Sequence, residues 1–152
     1  MKKFLKTDEW NIIEEGFHAD NLRASESIFS LGNGRLGQRG NFEETYSSDS
    51  LQGSYVAGIS FLDRTRVGWW KNGYPHFFSR IPNAPNWSGI HLRLIDEEVD
   101  LAQWDVDSFE RRLDMKKGIS YRDFEVTSPQ REYTENTCGT YQQHGSSESV
   151  SY

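Results

Sequence analysis

The sequence predicts an all-β protein built as an antiparallel β-sandwich. Short runs of alternating apolar and polar residues recur through the first 127 residues. The turns between them are rich in Gly, Pro and Asn. Convincing helical periodicity is absent from the same region. Many short strands joined by such turns are typical of a sandwich, so one all-β domain is the expected architecture.

The strand candidates can be read off in chain order. They cover residues 10–13, 27–31, 35–39, 54–61, 90–95, 99–101, 109–115 and 119–126. The dipeptide Asn33-Gly34 predicts a two-residue turn of type I′ between the second and third candidates. An acidic turn at residues 96–98 and the run Lys116-Lys117-Gly118 predict two further hairpins.

Residues 31–58 hold six glycines, and part of this segment imitates a phosphate-binding loop. Residues 32–37, GNGRLG, match the pattern G-x-G-x-x-G. That pattern binds dinucleotides only when a helix opens directly after it. Here the loop continues into QRGNFEE, which contains another glycine and no apolar stripe. The glycines therefore predict turns and bulges rather than a nucleotide site.

Charged residues stand among these glycines. We expect Arg39 to form an ion pair with Glu43 or Glu44 inside or beside a sheet. Neighbouring residues of a strand point to opposite faces, so Glu43 and Glu44 are not expected to act together as an acid and a base. No residue of this chain is predicted to be catalytic.

Composition narrows the classes of partner. The chain has 152 residues, the length of one domain, with 17 basic and 23 acidic residues and a net charge of −6. This excess of acidic residues argues against nucleic acid as a binding partner. Neither a membrane-spanning run nor a secretory leader is expected. Cys138 is the only cysteine, which excludes an internal disulfide and favours the cytoplasm. The four histidines lack metal-ligand spacing, so neither a metal nor a cofactor is expected.

Residues 63–89 are predicted to form a long loop rich in aromatic residues, and this loop is the main candidate for ligand contact. Its rings could stack on sugar faces, with nearby amides bonding to hydroxyls, or could fill a core or an interface. The carbohydrate-contact candidates are Trp69, Trp70, Tyr74 and Trp87.

Residues 128–152 differ from the rest of the chain. This segment contains a single aliphatic residue, Val150, and is otherwise polar. It cannot bury much apolar surface, so a disordered or out-of-frame tail is expected after a domain that ends at residue 127.

The glycine-rich segment also resembles a known family. LGNGRLGQRGNFEE, LQGSYVAGI, TRVGWWKNGYPHFF and IPNAPNW together resemble the N-terminal domain of glycoside hydrolase family 65. The motif is carried by Asn33, Gly34, Gly37, Arg39, Gly40, Glu43 and Glu44. The resemblance covers about residues 10–127. The family includes maltose, trehalose and kojibiose phosphorylases and some hydrolases.

The resemblance implies a fold and a reaction. It implies a large sandwich of the galactose-mutarotase kind, incomplete within this chain, that precedes an (α/α)6 barrel. It implies inverting catalysis on α-glucosides by a glutamic acid of that barrel, with α-linked disaccharide and phosphate as substrates and a possible homodimer. On this interpretation the chain is a non-catalytic fragment, and whether its parent is a phosphorylase or a hydrolase stays open. The alternative is a stand-alone carbohydrate-binding or interaction module.

Overall fold

The computed structural model describes residues 4–65, 75–94, 96–129 and 137–144. Within these ranges the chain forms short antiparallel sheets, a 3₁₀ turn at Ala19–Asn21 and one helix, α1 (Leu22–Ile28). The all-β prediction is confirmed. The strands are β1 (Leu5–Thr7), β2 (Asn11–Glu15), β3 (Leu31–Gly32), β4 (Leu36–Gln38), β5 (Ser54–Val56), β6 (Phe61–Arg64), β7 (Phe77–Arg80), β8 (Arg93–Leu94), β9 (Glu97–Glu98), β10 (Asp105–Asp114), β11 (Ile119–Thr127) and β12 (Thr137–His144).

A five-stranded sheet in the order β1-β2-β10-β11-β12 is the largest element of the fold. Its centre is the predicted hairpin of β10 and β11, whose register runs from Asp105↔Thr127 to Asp114↔Ile119. Gly118 takes a φ of 67° in the connecting turn, where a residue without Cβ is favoured. The Asp114 carboxylate accepts a hydrogen bond from the backbone N–H of Lys117, at 3.0 Å, and closes the same turn.

Strand β12 lies inside the polar segment for which the sequence predicts disorder. It pairs antiparallel with β11, from Val126↔Thr137 to Ile119↔His144. A strand at a sheet edge can satisfy its backbone groups by pairing alone, because pairing needs no particular side chain. Residues 137–144 are therefore an exception to the predicted disorder, whereas the domain boundary at residue 127 stays a prediction.

Helix α1 corrects the strand predicted at residues 27–31. Its buried residues are Leu22, Ser25 and Glu26, and Phe29 directly after it is also buried. This is the i, i+3, i+4, i+7 spacing of a helix face. The face was missed because two of its four members are polar. Of the predicted strand only its last residue, Leu31, is extended, as the first residue of β3.

Strands β3, β4 and β5 form a small sheet, and its first turn differs by one residue from the prediction. Gly32 pairs with Gly37, and the Asn33 N–H donates to the carbonyl of Leu36 at 3.0 Å. The central residues of the turn are therefore Gly34 and Arg35. Gly34 has a φ of 83°, which suits the first central position of a type II′ turn.

The remaining strands form two ribbons. The predicted strand at residues 54–61 is split into β5 and β6 around Gly58, which has a φ of 80°. Strand β6 pairs with β7, so the segment predicted as a loop at residues 63–89 contains a strand. Leu62 and Phe77 of this ribbon are 75% and 56% exposed. The second ribbon pairs β8 with β9 and corrects the predicted hairpin, because Glu97–Glu98 of the predicted acidic turn form the second strand in place of residues 99–101.

The apolar core lies on one face of the β10–β11 hairpin. Phe109, Phe124 and Val126 contribute from the two strands, because alternate residues of a strand share a face. The rest of the cluster comes from outside the sheet, and its members are Leu22, Phe42, Val99, Leu101 and Trp104. The core therefore ties α1 and two loop segments to the large sheet.

Candidate functional site

Two buried arginines lie directly opposite each other on the core face of the large sheet. Arg111 of β10 is the register partner of Arg122 of β11. Like charges opposite each other on paired strands are destabilising, so nearby carboxylates must compensate them. Three buried glutamates do so, and we call the set the arginine–glutamate cluster: Glu14, Glu43, Glu44, Arg111 and Arg122.

Arg111 joins three parts of the fold. Its Nε and Nη2 donate to Oε2 of Glu14 at 3.1 and 2.6 Å, across the β2–β10 pair. Its Nη1 donates to the backbone carbonyl of Gly40 at 2.8 Å. The other carboxylate oxygen of Glu14 accepts from the Ser25 hydroxyl of α1 at 2.7 Å. The second strand, the helix and the glycine-rich loop thus meet at one guanidinium.

Arg122 holds both glutamates of the glycine-rich motif. Its Nη2 donates to Oε2 of Glu43 at 2.8 Å and also to Oε2 of Glu44. The prediction that these two carboxylates point to opposite faces is wrong, because residues 43 and 44 lie in a bend rather than a strand. Burial raises the pKa of Glu43, and the positive charge of Arg122 only partly opposes this.

Arg39 does not pair with either of these glutamates, contrary to the sequence-based expectation. Its Nη2 lies 3.7 Å from Oε2 of Glu26 in α1. Its Nε donates to the carbonyl of Leu51 at 2.8 Å, and Nη2 donates to that of Arg23 at 3.0 Å. The carboxylate of Glu26 in turn accepts the N–H of Leu51 at 2.9 Å. Arg39 therefore fastens the loop to the helix.

Aromatic rings lie against the guanidinium groups of the cluster. The guanidinium carbon of Arg122 is 4.6 Å from the ring centroid of Phe42 and 5.3 Å from that of Phe124. The guanidinium carbon of Arg111 is 4.6 Å from the centroid of Phe29 and 5.6 Å from that of Phe42. These distances are in the range of cation–π attraction. Phe42 thus contacts both arginines and links the charged cluster to the apolar core.

Glycine is required at one position of the motif by close approach. A Cβ built on Gly40 would lie 2.7 Å from Cβ of Phe29 and 2.9 Å from the Phe29 carbonyl oxygen. The Gly40 N–H donates to the carbonyl of Glu26 at 2.8 Å. The loop therefore runs directly against the end of α1, which places its carbonyl within reach of Arg111.

Of the four aromatic candidates for sugar contact, the structure describes Trp87. Trp87 is 45% exposed, and its Nε1–H donates to Oε1 of Gln38 at 3.0 Å. Trp69, Trp70 and Tyr74 lie outside the described residues.

The residues that the structure describes present neither a metal-ion cluster nor a membrane-spanning helix. Among these residues no group of three or more His, Cys, Asp or Glu is placed to hold a metal ion. Nor is any helix there long and apolar enough to cross a membrane.

Comparison with known proteins matches residues 12–137 to the model described as "Glycosyl hydrolase family 65, N-terminal domain". The chain belongs to glycosyl hydrolase family 65. Maltose phosphorylase of Bacillus subtilis (strain 168) is 50% identical over 121 residues, covering 80% of this chain and 16% of that protein. Kojibiose phosphorylase of Halothermothrix orenii is 36% identical over 120 residues, covering 79% and 14%.

The family-65 assignment extends to a solved structure. A putative kojibiose phosphorylase from human microbiome matches with a TM-score of 0.70 at 36% identity. The match covers 84% of the present chain and 17% of that one. The family-65 chain thus spans about one-sixth of the length of these relatives.

Sequence reasoning missed three members of the cluster, Glu14, Arg111 and Arg122. A signal was present, because Arg111 stands between Phe109 and Leu113 on the inward side of an alternating strand. Arg122 likewise precedes Phe124 at the same spacing. A charged residue at an inward strand position predicts a buried partner, but the partner itself cannot be read from spacing.

Proposed function

We propose that this chain is the non-catalytic N-terminal domain of an inverting disaccharide phosphorylase or glycoside hydrolase that acts on α-glucosides. The observation that carries the proposal is the family match over residues 12–137, with 50% identity to a maltose phosphorylase over 121 residues. Two further relatives are named as phosphorylases of kojibiose and of α,α-trehalose. An α-linked disaccharide and phosphate are therefore the proposed substrates of the whole protein.

The proposed reaction needs one acid and one nucleophile. In an inverting reaction a carboxylic acid protonates the glycosidic oxygen while the nucleophile attacks the anomeric carbon from the opposite face. With phosphate as nucleophile, the glycosidic C–O bond breaks and a new C–O bond joins the sugar to phosphate. We assign neither step to this chain, because Glu43 and Glu44 are 6% and 5% exposed and are bound by Arg122.

The glycine-rich motif has a structural role in this proposal. Gly40 supplies close approach to α1, Arg39 fastens the loop to the helix, and the two glutamates anchor it to β11 through Arg122. A rigid scaffold can hold a neighbouring catalytic domain in place without touching substrate. We further propose a cytoplasmic protein, since the single cysteine suits a reducing compartment, and homodimerisation of the intact parent.

A chimaera tests this function. The region matching residues 12–127 in the maltose phosphorylase of Bacillus subtilis is replaced by the present sequence, and phosphorolysis of maltose is measured. We expect the chimaera to fold and to release glucose phosphate, whereas the 152-residue chain alone turns over neither maltose, trehalose nor kojibiose. Robust turnover by the chain alone would contradict the non-catalytic role. An insoluble chimaera would contradict the equivalence of the two domains.

A second candidate function is carbohydrate binding without chemistry. It is favoured by the exposed, hydrogen-bonded ring of Trp87. Calorimetry with maltose and trehalose compares the wild type with variants at the four aromatic candidates, Trp69→Ala, Trp70→Ala, Tyr74→Ala and Trp87→Ala. Heat that disappears in at least one variant supports binding, and a wild type that gives no heat rules it out.

A further inference from the structure

Trp87 lies in a segment without charge. Residues 81–90 read IPNAPNWSGI, whereas 26% of the whole chain is charged. The exposed side chains of this segment include the amides of Asn83 and Asn86 and the indole of Trp87. An apolar ring beside uncharged donors and acceptors suits a neutral, hydroxyl-rich ligand better than an ionic one.

The backbone on either side of Trp87 is anchored to the rest of the fold. The Ala84 N–H donates to the carbonyl of Ser54 at 2.6 Å, and the Ile90 N–H donates to the carbonyl of Glu43 at 2.7 Å. Glu43 is itself held on β11 by the arginine–glutamate cluster. A segment fixed at two points loses little conformational freedom when it binds a ligand, which favours affinity.

The indole itself is fixed in orientation. Its only polar atom, Nε1, donates to Oε1 of Gln38 at 3.0 Å, and the Gln38 amide nitrogen donates to the Ser88 hydroxyl. The Asn86 side-chain oxygen accepts from the N–H and the hydroxyl of Ser88 at 3.2 and 3.1 Å. The exposed part of the Trp87 ring is therefore its carbon surface. The neighbouring amide of Asn86 is oriented by its hydrogen bonds with Ser88.

We propose that the Trp87 ring is a stacking platform for a neutral α-glucosyl unit, with Asn86 as the adjacent hydrogen-bonding residue. A pyranose presents C–H groups on its face and hydroxyls around its rim, so the face packs on the indole while a hydroxyl meets the amide. Gln38 is a positioning residue that acts through Trp87. The inference rests on the carbohydrate-binding function above and adds the binding residue and the ligand class.

A protein contact is the competing occupant. Leu36 lies two residues from Gln38 on β4, on the same side of the strand, and is 44% exposed. The uncharged amides within the segment favour the sugar. Self-association or a sugar-independent signal at Trp87 would identify a protein contact instead.

The experiment follows the indole N–H signals of the ¹⁵N-labelled 152-residue chain while maltose is added. Trp87→Phe assigns the signal. Trp10 is the matched control, because it is also 45% exposed but has the ammonium of Lys116 at 5.8 Å from its ring centroid. We expect a saturable shift at Trp87 and none at Trp10. Gln38→Leu and Trp87→Ala should each weaken maltose binding about tenfold or more, with the remaining signals unchanged.

Several results would overturn the proposal. They are no shift at Trp87, equal shifts at Trp87 and Trp10, and a Trp87 signal that responds to protein concentration instead of sugar. Full maltose affinity in Gln38→Leu would remove its positioning role. Calorimetry distinguishes the platform from carbohydrate binding in general, because maltose heat that persists unchanged in Trp87→Ala leaves carbohydrate binding standing and rejects only the platform at Trp87.

Discussion

Replacing Arg122 with Met should strongly destabilise the fold. The substitution keeps most of the side-chain volume and removes the charge that faces two buried carboxylates, Glu43 and Glu44. Side-chain exposure is 6% for Arg122, 5% for Glu43 and 2% for Glu44. Water therefore cannot replace the lost donor without opening the structure.

The expected cost follows from this geometry. Removing one partner of a buried ion pair costs about 3–5 kcal/mol, because a buried charge is left without compensation. A whole domain is stable by only about 5–15 kcal/mol, so this loss is a large part of the total. With a urea m-value of about 2 kcal/mol per molar, a loss of about 4 kcal/mol lowers the unfolding midpoint by about 2 M.

The assay is urea unfolding at pH 7.5, followed by circular dichroism and by tryptophan fluorescence, to which the buried Trp104 contributes. Arg112→Met is the matched control. Arg112 follows Arg111 in β10 and lies on the opposite face of the sheet from the cluster. Its guanidinium carbon lies 4.2 Å from the ring centroid of Tyr121. We expect this control to lose about 1 kcal/mol or less, as is usual for a partly exposed arginine.

Equal losses in Arg122→Met and Arg112→Met would refute the reasoning, since burial of the charges would then not decide the cost. A triple variant gives a second check. Adding Glu43→Gln and Glu44→Gln to Arg122→Met removes the stranded charges and should recover much of the stability. No recovery would show that packing of the arginine stem, rather than its charge, holds the loop to the sheet.

Three further outcomes follow from the same contacts. Burial raises the pKa of Glu43 in the folded state above its unfolded value of about 4.5. The contribution of Glu43 to folding stability is therefore complete below the unfolded pKa and is lost as pH rises through the folded pKa. Glu43→Gln should accordingly gain stability relative to wild type as pH increases, measured by urea titrations. Gly40→Ala should cost about 1–3 kcal/mol by overpacking against Phe29, whereas Gly37→Ala, whose nearest contact is at 4.0 Å, should cost less in thermal melts. Ser25→Ala removes the 2.7 Å hydrogen bond to buried Glu14 and should cost about 1–3 kcal/mol, which a Cys at the same position would not restore.

Local patterns predicted the elements that local chemistry controls. The β10–β11 hairpin follows from alternating side chains and a Lys-Lys-Gly turn. The prediction failed where polar residues face inward. The inward face of α1 includes the polar residues Ser25 and Glu26. A search for apolar periodicity therefore does not detect this helix, because it counts only apolar residues as buried.

By itself the sequence determined the all-β class, the family and the glycine-rich loop, since each depends on residue types at short spacing. Only the tertiary structure decided which charges meet. Glu14 lies 97 positions from Arg111 in the chain, and Glu43 lies 79 from Arg122. Strand register brings the two arginines face to face, and the bend at residues 43–44 turns both carboxylates toward one guanidinium. Short-range periodicity does not predict these ion-pair partners, because burial and sheet register determine them rather than spacing along the chain.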